Sequence, residues 1–172
     1  NYIYYVGGIC GKNVGGTVKN SYNTAVVTGY RFVGGVCGHN SGTVKDCYNK
    51  GNITSRATYV GGICGHSTSS AYSDIVMRCY STGRIPSADG YAGGSNGGLG
   101  GYRIKDCYNT GTINGNGSWT GGVCGGTSVG EIIGCYNEGS VNSGENENVG
   151  GITGSLYKNC NIYNCYNNGN VT

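Results

Sequence analysis

The sequence predicts an all-β fold: a parallel β-solenoid (β-helix) of about six turns, with roughly 28 residues and three short strands per turn. Three observations predict it. First, one phrase recurs along the chain: VGGICG at 6–11, VGGVCG at 33–38, VGGICG at 60–65, TGGVCG at 120–125 and VGGITG at 149–154. Second, a Cys-Tyr-Asn phrase begins at Cys47, Cys107, Cys135 and Cys165, reads Cys-Tyr-Ser at Cys79 and Ser-Tyr-Asn at Ser21. Third, no stretch carries a helical period, and each apolar run is too short to stand alone as a strand.

The second repeat serves as the template. Val33-Gly34-Gly35-Val36-Cys37 reads as a short strand whose glycines permit close backbone approach. His39-Asn40-Ser41-Gly42 is turn chemistry, and Thr43-Val44-Lys45 is a second strand. Asp46-Cys47-Tyr48-Asn49 rounds a corner, Lys50-Gly51 turns again, and Asn52-Ile53-Thr54 is the third strand. The other repeats fall into the same columns. Three residues before the Cys-Tyr-Asn position stand Val18, Val44, Val76, Ile104, Ile132 and Ile162; six after it stand Val27, Ile53, Ile85, Ile113, Val141 and Val171. Four after it stand Ala25, Gly51, Gly83, Gly111, Gly139 and Gly169, the expected place for a positive φ or a tight corner.

Residues 1–172 therefore read as one solenoid domain of six repeats, the fourth degenerate. There, spacing from Cys79 places Asn96 where a cysteine belongs, although Gly97-Gly98-Leu99-Gly100-Gly101 looks more like the phrase. His66 to Asp74 reads as an insertion, and 114–118 and 143–148 as loops between repeats. A propeller blade needs about 40–50 residues, more than one repeat supplies.

Composition narrows the function. Glycine is 37 of 172 residues with a single proline, charged residues are 11%, and net charge is +3. That balance, with no Lys/Arg run and no apolar stretch near ~20 residues, speaks against a nucleic-acid partner and against membrane insertion. The chain starts directly in the repeat, as a mature product or an excised fragment would. Eight scattered acids make no recurring carboxylate pair: Asp46 and Asp106 share a column with Asn20, Arg78, Gly134 and Asn164. His39 and His66 fall at one turn position, no CxxC occurs, and the glycine phrases precede no helix. No enzyme, cofactor or metal is expected.

Ten cysteines in such a chain suggest an oxidising setting, with buried reduced thiols as the alternative. Within-repeat pairing gives Cys37–Cys47, Cys64–Cys79 and Cys124–Cys135, with Cys160–Cys165 as a further option, but strands Cys10 and Cys107. Pairing each first-phrase cysteine with the second phrase one rung later gives Cys10–Cys47, Cys37–Cys79, Cys64–Cys107 and Cys124–Cys165. Cys135 is then left for Cys160, and all ten are used. This offset scheme is the favoured expectation; sequence alone does not fix connectivity.

The phrases GGICG and GGVCG, followed by GTVKDCYNKGNI at 42–53, resemble the GLUG-motif repeats of bacterial secreted and surface proteins. The resemblance spans essentially the whole chain. It implies an extracellular or cell-surface repeat region, of the kind found beside adhesin-like modules and some immunoglobulin A-cleaving metallopeptidases. It carries over no catalytic residue, and the HExxH motif of those peptidases does not occur here.

Two columns remain as candidate ladders: Tyr22, Tyr48, Tyr80, Tyr108, Tyr136 and Tyr166, and beside them Asn23, Asn49, Asn109, Asn137 and Asn167, with Ser81 in the third repeat. The tyrosines would stiffen the rod, mediate assembly or bind a ligand. The ends read as bare strand edges, so the chain is either cut from a longer repeat protein or stacks head to tail on itself. The functional expectation is an extracellular structural protein, a homopolymeric fibre or a rod beside flanking domains of a surface protein. The alternative is an adhesin module for host glycan or protein.

Overall fold

The structure, a computed structural model, describes residues 4–55, 58–68, 74–86, 89–144 and 148–172. The loops expected at 66–74 and 143–148, and the opening Tyr2-Ile3, lie in part outside the described residues. The chain coils as a parallel β-solenoid of six rungs, about five turns from the first rung to the sixth. One six-stranded sheet stacks Tyr5–Gly7, Phe32–Gly34, Tyr59–Gly61, Tyr91–Gly93, Trp119–Gly121 and Asn148–Gly150 in sequence order, every pair parallel. A second stacks Tyr22–Asn23, Tyr48–Asn49, Tyr80–Ser81, Tyr108–Asn109, Tyr136–Asn137 and Tyr166–Asn167 likewise. A ten-stranded sheet between them collects the Cys-Gly and Thr-Val-Lys strands.

The three strand stretches expected per turn are subdivided. In the second rung the chain bends at Gly35-Val36, separating Phe32–Gly34 from Cys37–Asn40. After Thr43–Lys45 it turns at Asp46, leaving Tyr48–Asn49 as a strand of its own before Ile53–Ser55. The register settles the degenerate fourth rung: Asn96 pairs with Cys64 on one side and Cys124 on the other, as the spacing requires. Both β-branched columns are also in register, Val44 with Val18 and Val76, Ile53 with Val27 and Ile113 with Ile85.

The interior holds two apolar clusters. The larger contains Val36, Val44, Ile63, Val76, Ile104, Val123 and Ile132 with the buried cysteines; the smaller contains Val27, Val33, Ile53, Val60, Ile85, Ala92 and Ile113. The repeated phrase joins them, since Val33 belongs to one and Val36 to the other, with Gly34-Gly35 between. The second glycine is required by what packs on it. A Cβ at Gly35, Gly94, Gly122 or Gly151 would fall closer than 3.0 Å to the side chain of Asn49, Asn109, Asn137 or Asn167, the first three of them buried. The phrase and the asparagine column are two halves of one contact.

Of the two roles expected for the glycine column, the tight corner holds, since the chain bends at Gly51, Gly83, Gly111, Gly139 and Gly169, and the positive φ does not. Positive φ does not occur at Gly51, Gly83, Gly111, Gly139 or Gly169. It occurs at the residue before the Cys-Tyr-Asn position: Asn20, Asp46, Arg78, Asp106, Gly134 and Asn164, with φ from 47 to 61°. Asn and Asp tolerate that region better than most residues, which suits four of the six. The glycine column serves packing instead. A Cβ on Gly51 would strike the carbonyl of Ala25 in the rung beneath, and each later glycine sits likewise on its predecessor's carbonyl.

Candidate functional site

The side chains that repeat on every rung are the candidates for function. The tyrosine column forms a ladder. Tyr22, Tyr48, Tyr80, Tyr108, Tyr136 and Tyr166 stack ring on ring with centroids 4.8–5.0 Å apart and interplanar angles of 0–8°. In-register parallel strands impose this spacing, so every interior ring has both faces covered by its neighbours. The end rings are the most exposed, Tyr22 at 57% and Tyr166 at 49%. Between these two, ring edges and hydroxyls are what the ladder turns outward.

The asparagine column, buried at Asn23, Asn49, Asn109 and Asn137 and exposed at Asn167, works in two directions. The Oδ1 of Asn23, Asn49 and Asn109 accepts from the backbone N–H two residues on, and each Nδ2 donates to the carbonyl there: Asn49 to Gly51 at 2.7 Å, Asn109 to Gly111 at 2.7 Å, Asn137 to Gly139 at 2.7 Å. The same Nδ2 also donates to Oδ1 of the next rung: Asn23 to Asn49 at 2.8 Å, Asn109 to Asn137 at 2.8 Å and Asn137 to Asn167 at 2.7 Å. The ladder therefore closes each corner and ties it to the next. It is interrupted at Ser81, whose buried Oγ has no hydrogen-bond partner. Ser81→Asn is expected to restore the link from Asn49 to Asn109 and to stabilise the fold by about 1 kcal/mol, read as a higher midpoint in urea. An unchanged or lower midpoint contradicts this account of the column.

The cysteine columns exist, but their chemistry is not the expected one. All ten cysteines are free thiols, so Cys10–Cys47, Cys37–Cys79, Cys64–Cys107, Cys124–Cys165 and Cys135–Cys160 are not formed. Like stacks on like: Cys37 pairs in register with Cys10 and Cys64. Rungs ~4.8 Å apart exceed the roughly 3.8 Å between Cβ atoms that a disulfide prefers. The thiols instead donate to nearby carbonyls. Cys47, Cys79, Cys107, Cys135 and Cys165 each reach the carbonyl two residues back, across the left-handed corner, at 3.1–3.3 Å. Ser21 makes the same bond with its hydroxyl, to Lys19 at 2.8 Å. In the other column Cys37 and Cys124 reach the carbonyl two residues on, and Thr153 does so at 3.0 Å. The hydroxyl substitutions at Ser21 and Thr153 thus preserve a hydrogen bond. Burial raises the thiol pKa of Cys64 and Cys107, and lifts that of Cys124 to about 12. The expected behaviour is a melting temperature unmoved by reductant and thiols that react fully with a thiol reagent only in denaturant. A loss of several degrees on reduction would restore the disulfide reading.

A second aromatic ladder, which the sequence reading missed, runs along the other six-stranded sheet. Tyr5, Phe32, Tyr59, Tyr91 and Trp119 stack at 4.4–5.3 Å. Its signal is legible afterwards as the residue immediately before each Gly-Gly phrase, aromatic in the first five rungs and Asn148 in the sixth. His39 lies edge-on to Phe32, and His66 lies 4.5 Å from the Tyr59 ring. In the next two rungs this column becomes Gly98 and Gly126, and the Tyr59 and Tyr91 rings lean over them. What remains is a groove of about 80 Å³ beside Leu99, Thr127 and Tyr157, well below the several hundred Å³ of a typical small-molecule site.

Burial holds the His66 pKa down at about 4, with the neighbouring His39 as a lesser cause. A histidine whose folded pKa lies below its unfolded value of about 6.5 contributes no loss above that pH. Between pH 6.5 and 4 the unfolded chain binds the extra proton, so stability falls as pH falls through that window and levels off below it. The expected loss is up to about 3 kcal/mol. His66→Gln should flatten the unfolding midpoint between pH 6.5 and 4 relative to the parent; parallel profiles would contradict the assignment.

Exposed ion pairs tie successive rungs. Arg78 binds both carboxylate oxygens of Asp46 at 2.6 and 2.9 Å, and Arg103 binds Glu131 at 2.6 Å. Their exposure limits what they add to stability.

Comparison with known proteins gives one family. The model of the GLUG motif matches residues 2–28, 30–54 and 145–172. No curated protein and no solved structure matches the chain. The three matched segments are the first, second and sixth rungs. In the rungs between them Tyr80–Ser81, Tyr108–Asn109 and Tyr136–Asn137 pair in the same register.

Proposed function

We propose that this chain of GLUG-motif repeats is a structural rod of a surface protein, with no catalytic role. The observation that carries the reading is the tyrosine ladder itself. Glycan recognition by aromatic side chains uses ring faces, and here the interior faces are spent on neighbouring rings. The asparagine ladder and the thiol-to-carbonyl bonds likewise point inward and serve the coil. The repeated residues thus support stiffness over ligand capture. Placement outside a bacterial cell rests on the family resemblance alone, because buried free thiols remove the argument from oxidising conditions.

The test replaces Tyr80, Tyr108 and Tyr136 together by serine. A structural ladder predicts a clear fall in unfolding midpoint, with no glycan or host-protein binding detected for the parent. An adhesin predicts the reverse: parent binding that the variant loses while keeping its stability. That outcome would overturn the proposal in favour of a binding module.

A further inference from the structure

The third rung lacks the side-chain amide of the asparagine column, but the groups that an amide would serve there remain. Across the column an amide meets four kinds of group: the N–H and the carbonyl two residues on, the Nδ2 of the rung before and the Oδ1 of the rung after. At the third rung all four face Ser81. Gly83 is buried, and neither its N–H nor its carbonyl is hydrogen-bonded among the described residues. Asn49 Nδ2 spends one hydrogen on the Gly51 carbonyl, and a Cβ on Gly83 would lie 2.8 Å from that nitrogen, which sets it against the third rung. Asn109 Oδ1 accepts from the Gly111 N–H but, unlike the Oδ1 of Asn49 and Asn137, receives no amide from the rung before. Ser81 Oγ itself is buried without a partner.

These groups define the chemistry of what they would hold. Two are donors, two are acceptors, a hydroxyl stands beside them, and none carries a charge. An ion of either sign would meet the wrong pole of half of them. Water carries two donors and two acceptors, the same inventory as the amide. What asparagine has beyond serine is about one water in size, roughly 30 Å³. Buried backbone groups are almost always paired, and a polar site with two to four partners is where a buried water settles.

We infer that the corner of the third rung is a binding site for one buried water, held by Gly83, Ser81 Oγ and the remaining amide hydrogen of Asn49, and that this water carries the asparagine ladder on toward Asn109. A bridging water is nearly as good as a direct hydrogen bond, at some cost in immobilisation. The third rung is therefore joined to its neighbours by solvent where the others are joined by side chains. The inference does not depend on what the rod carries.

The experiment measures magnetisation transfer from water to backbone amides by NMR in the parent, Ser81→Ala and Ser81→Asn. In the parent the Gly83 N–H should show a water cross-peak with the sign of a slowly tumbling pair. The Gly51 and Gly111 N–H groups, bonded to asparagine, should show none. Ser81→Ala removes the exchangeable hydroxyl and leaves the water its other partners, so the Gly83 peak should persist and relay through the hydroxyl is excluded. Ser81→Asn supplies the amide and should abolish the peak. Asparagine stands at this position in the other five rungs and alanine only shortens serine, so both variants are expected to fold, which the spread of amide shifts checks. A Gly83 peak missing from the parent, lost in Ser81→Ala, kept in Ser81→Asn or matched at Gly51 and Gly111 would each overturn the inference.

Discussion

Gly111→Ala is expected to leave the protein largely unfolded at room temperature. The new Cβ would fall inside contact distance of the Gly83 carbonyl oxygen and carbon and of the Thr82 carbonyl carbon, all of them backbone atoms of the rung beneath. A flexible side chain can turn away; a hydrogen-bonded strand cannot. Just before it, Tyr108 donates to Cys79 at 3.1 Å and Thr110 to Ser81 at 2.9 Å, so relief requires giving up ladder bonds. Overpacking against rigid backbone typically costs about 1–3 kcal/mol and more when nothing yields; here the loss should exceed roughly 4 kcal/mol. Gly15→Ala is the control. Gly15 has φ of +72° and open space around it, so that substitution should lose only about 1–2 kcal/mol. Equilibrium urea unfolding of both variants tests the order; a Gly111→Ala loss no larger than that of Gly15→Ala would refute the close-packing account.

Asn109→Leu should be nearly as damaging for a different reason. The volume is almost conserved, but Asn109 is fully buried and serves three partners: the Gly111 carbonyl at 2.7 Å, the Gly111 N–H at 3.2 Å and Asn137 Oδ1 at 2.8 Å. Leucine leaves all three unsatisfied in the interior, at about 1–3 kcal/mol each. Asn109→Asp should be worse still at neutral pH. A carboxylate keeps the bond from the Gly111 N–H but turns its other oxygen toward two acceptors and brings a charge indoors. Urea midpoints in the order parent, leucine, aspartate are expected. An aspartate variant as stable as the parent would show that the column tolerates the loss of its donors.

The coil was legible because its phase is written twice per rung, once in the Gly-Gly phrase and once in the Cys-Tyr-Asn phrase. That double record placed Asn96 correctly where the local motif had decayed. The tyrosine and asparagine ladders followed from the same phase. The cysteines were misread because a thiol that donates to its own corner and a thiol that bridges rungs leave the same spacing. What separates them is the hydroxyl bonds of Ser21 and Thr153, which only a backbone reveals. The glycine column marked the corner but left its cause open, because close approach and left-handed φ select the same residue. The true left-handed column, Asn20, Asp46, Arg78, Asp106, Gly134 and Asn164, contains one glycine and one arginine, and so carries no uniform signature. The second aromatic ladder was missed because Tyr, Phe and Trp alternate in it, and identity was the signal followed elsewhere.

The direction of the backbone hydrogen bonds has a mechanical consequence. Between rungs they lie along the rod axis, from Tyr48 to Ser21, Tyr80 to Cys47, Tyr108 to Cys79 and onward. A tensile load drawn between the two ends of the chain meets these bonds a few at a time, in a peeling geometry instead of a shearing one. Rungs should come away singly from an end, at modest and similar forces. Each lets out roughly 90 Å of extended chain where it had occupied ~4.8 Å of axis. A coil that is stiff under compression is thus a compliant tether under tension, and the missing amide at Ser81 makes the third rung its weakest link.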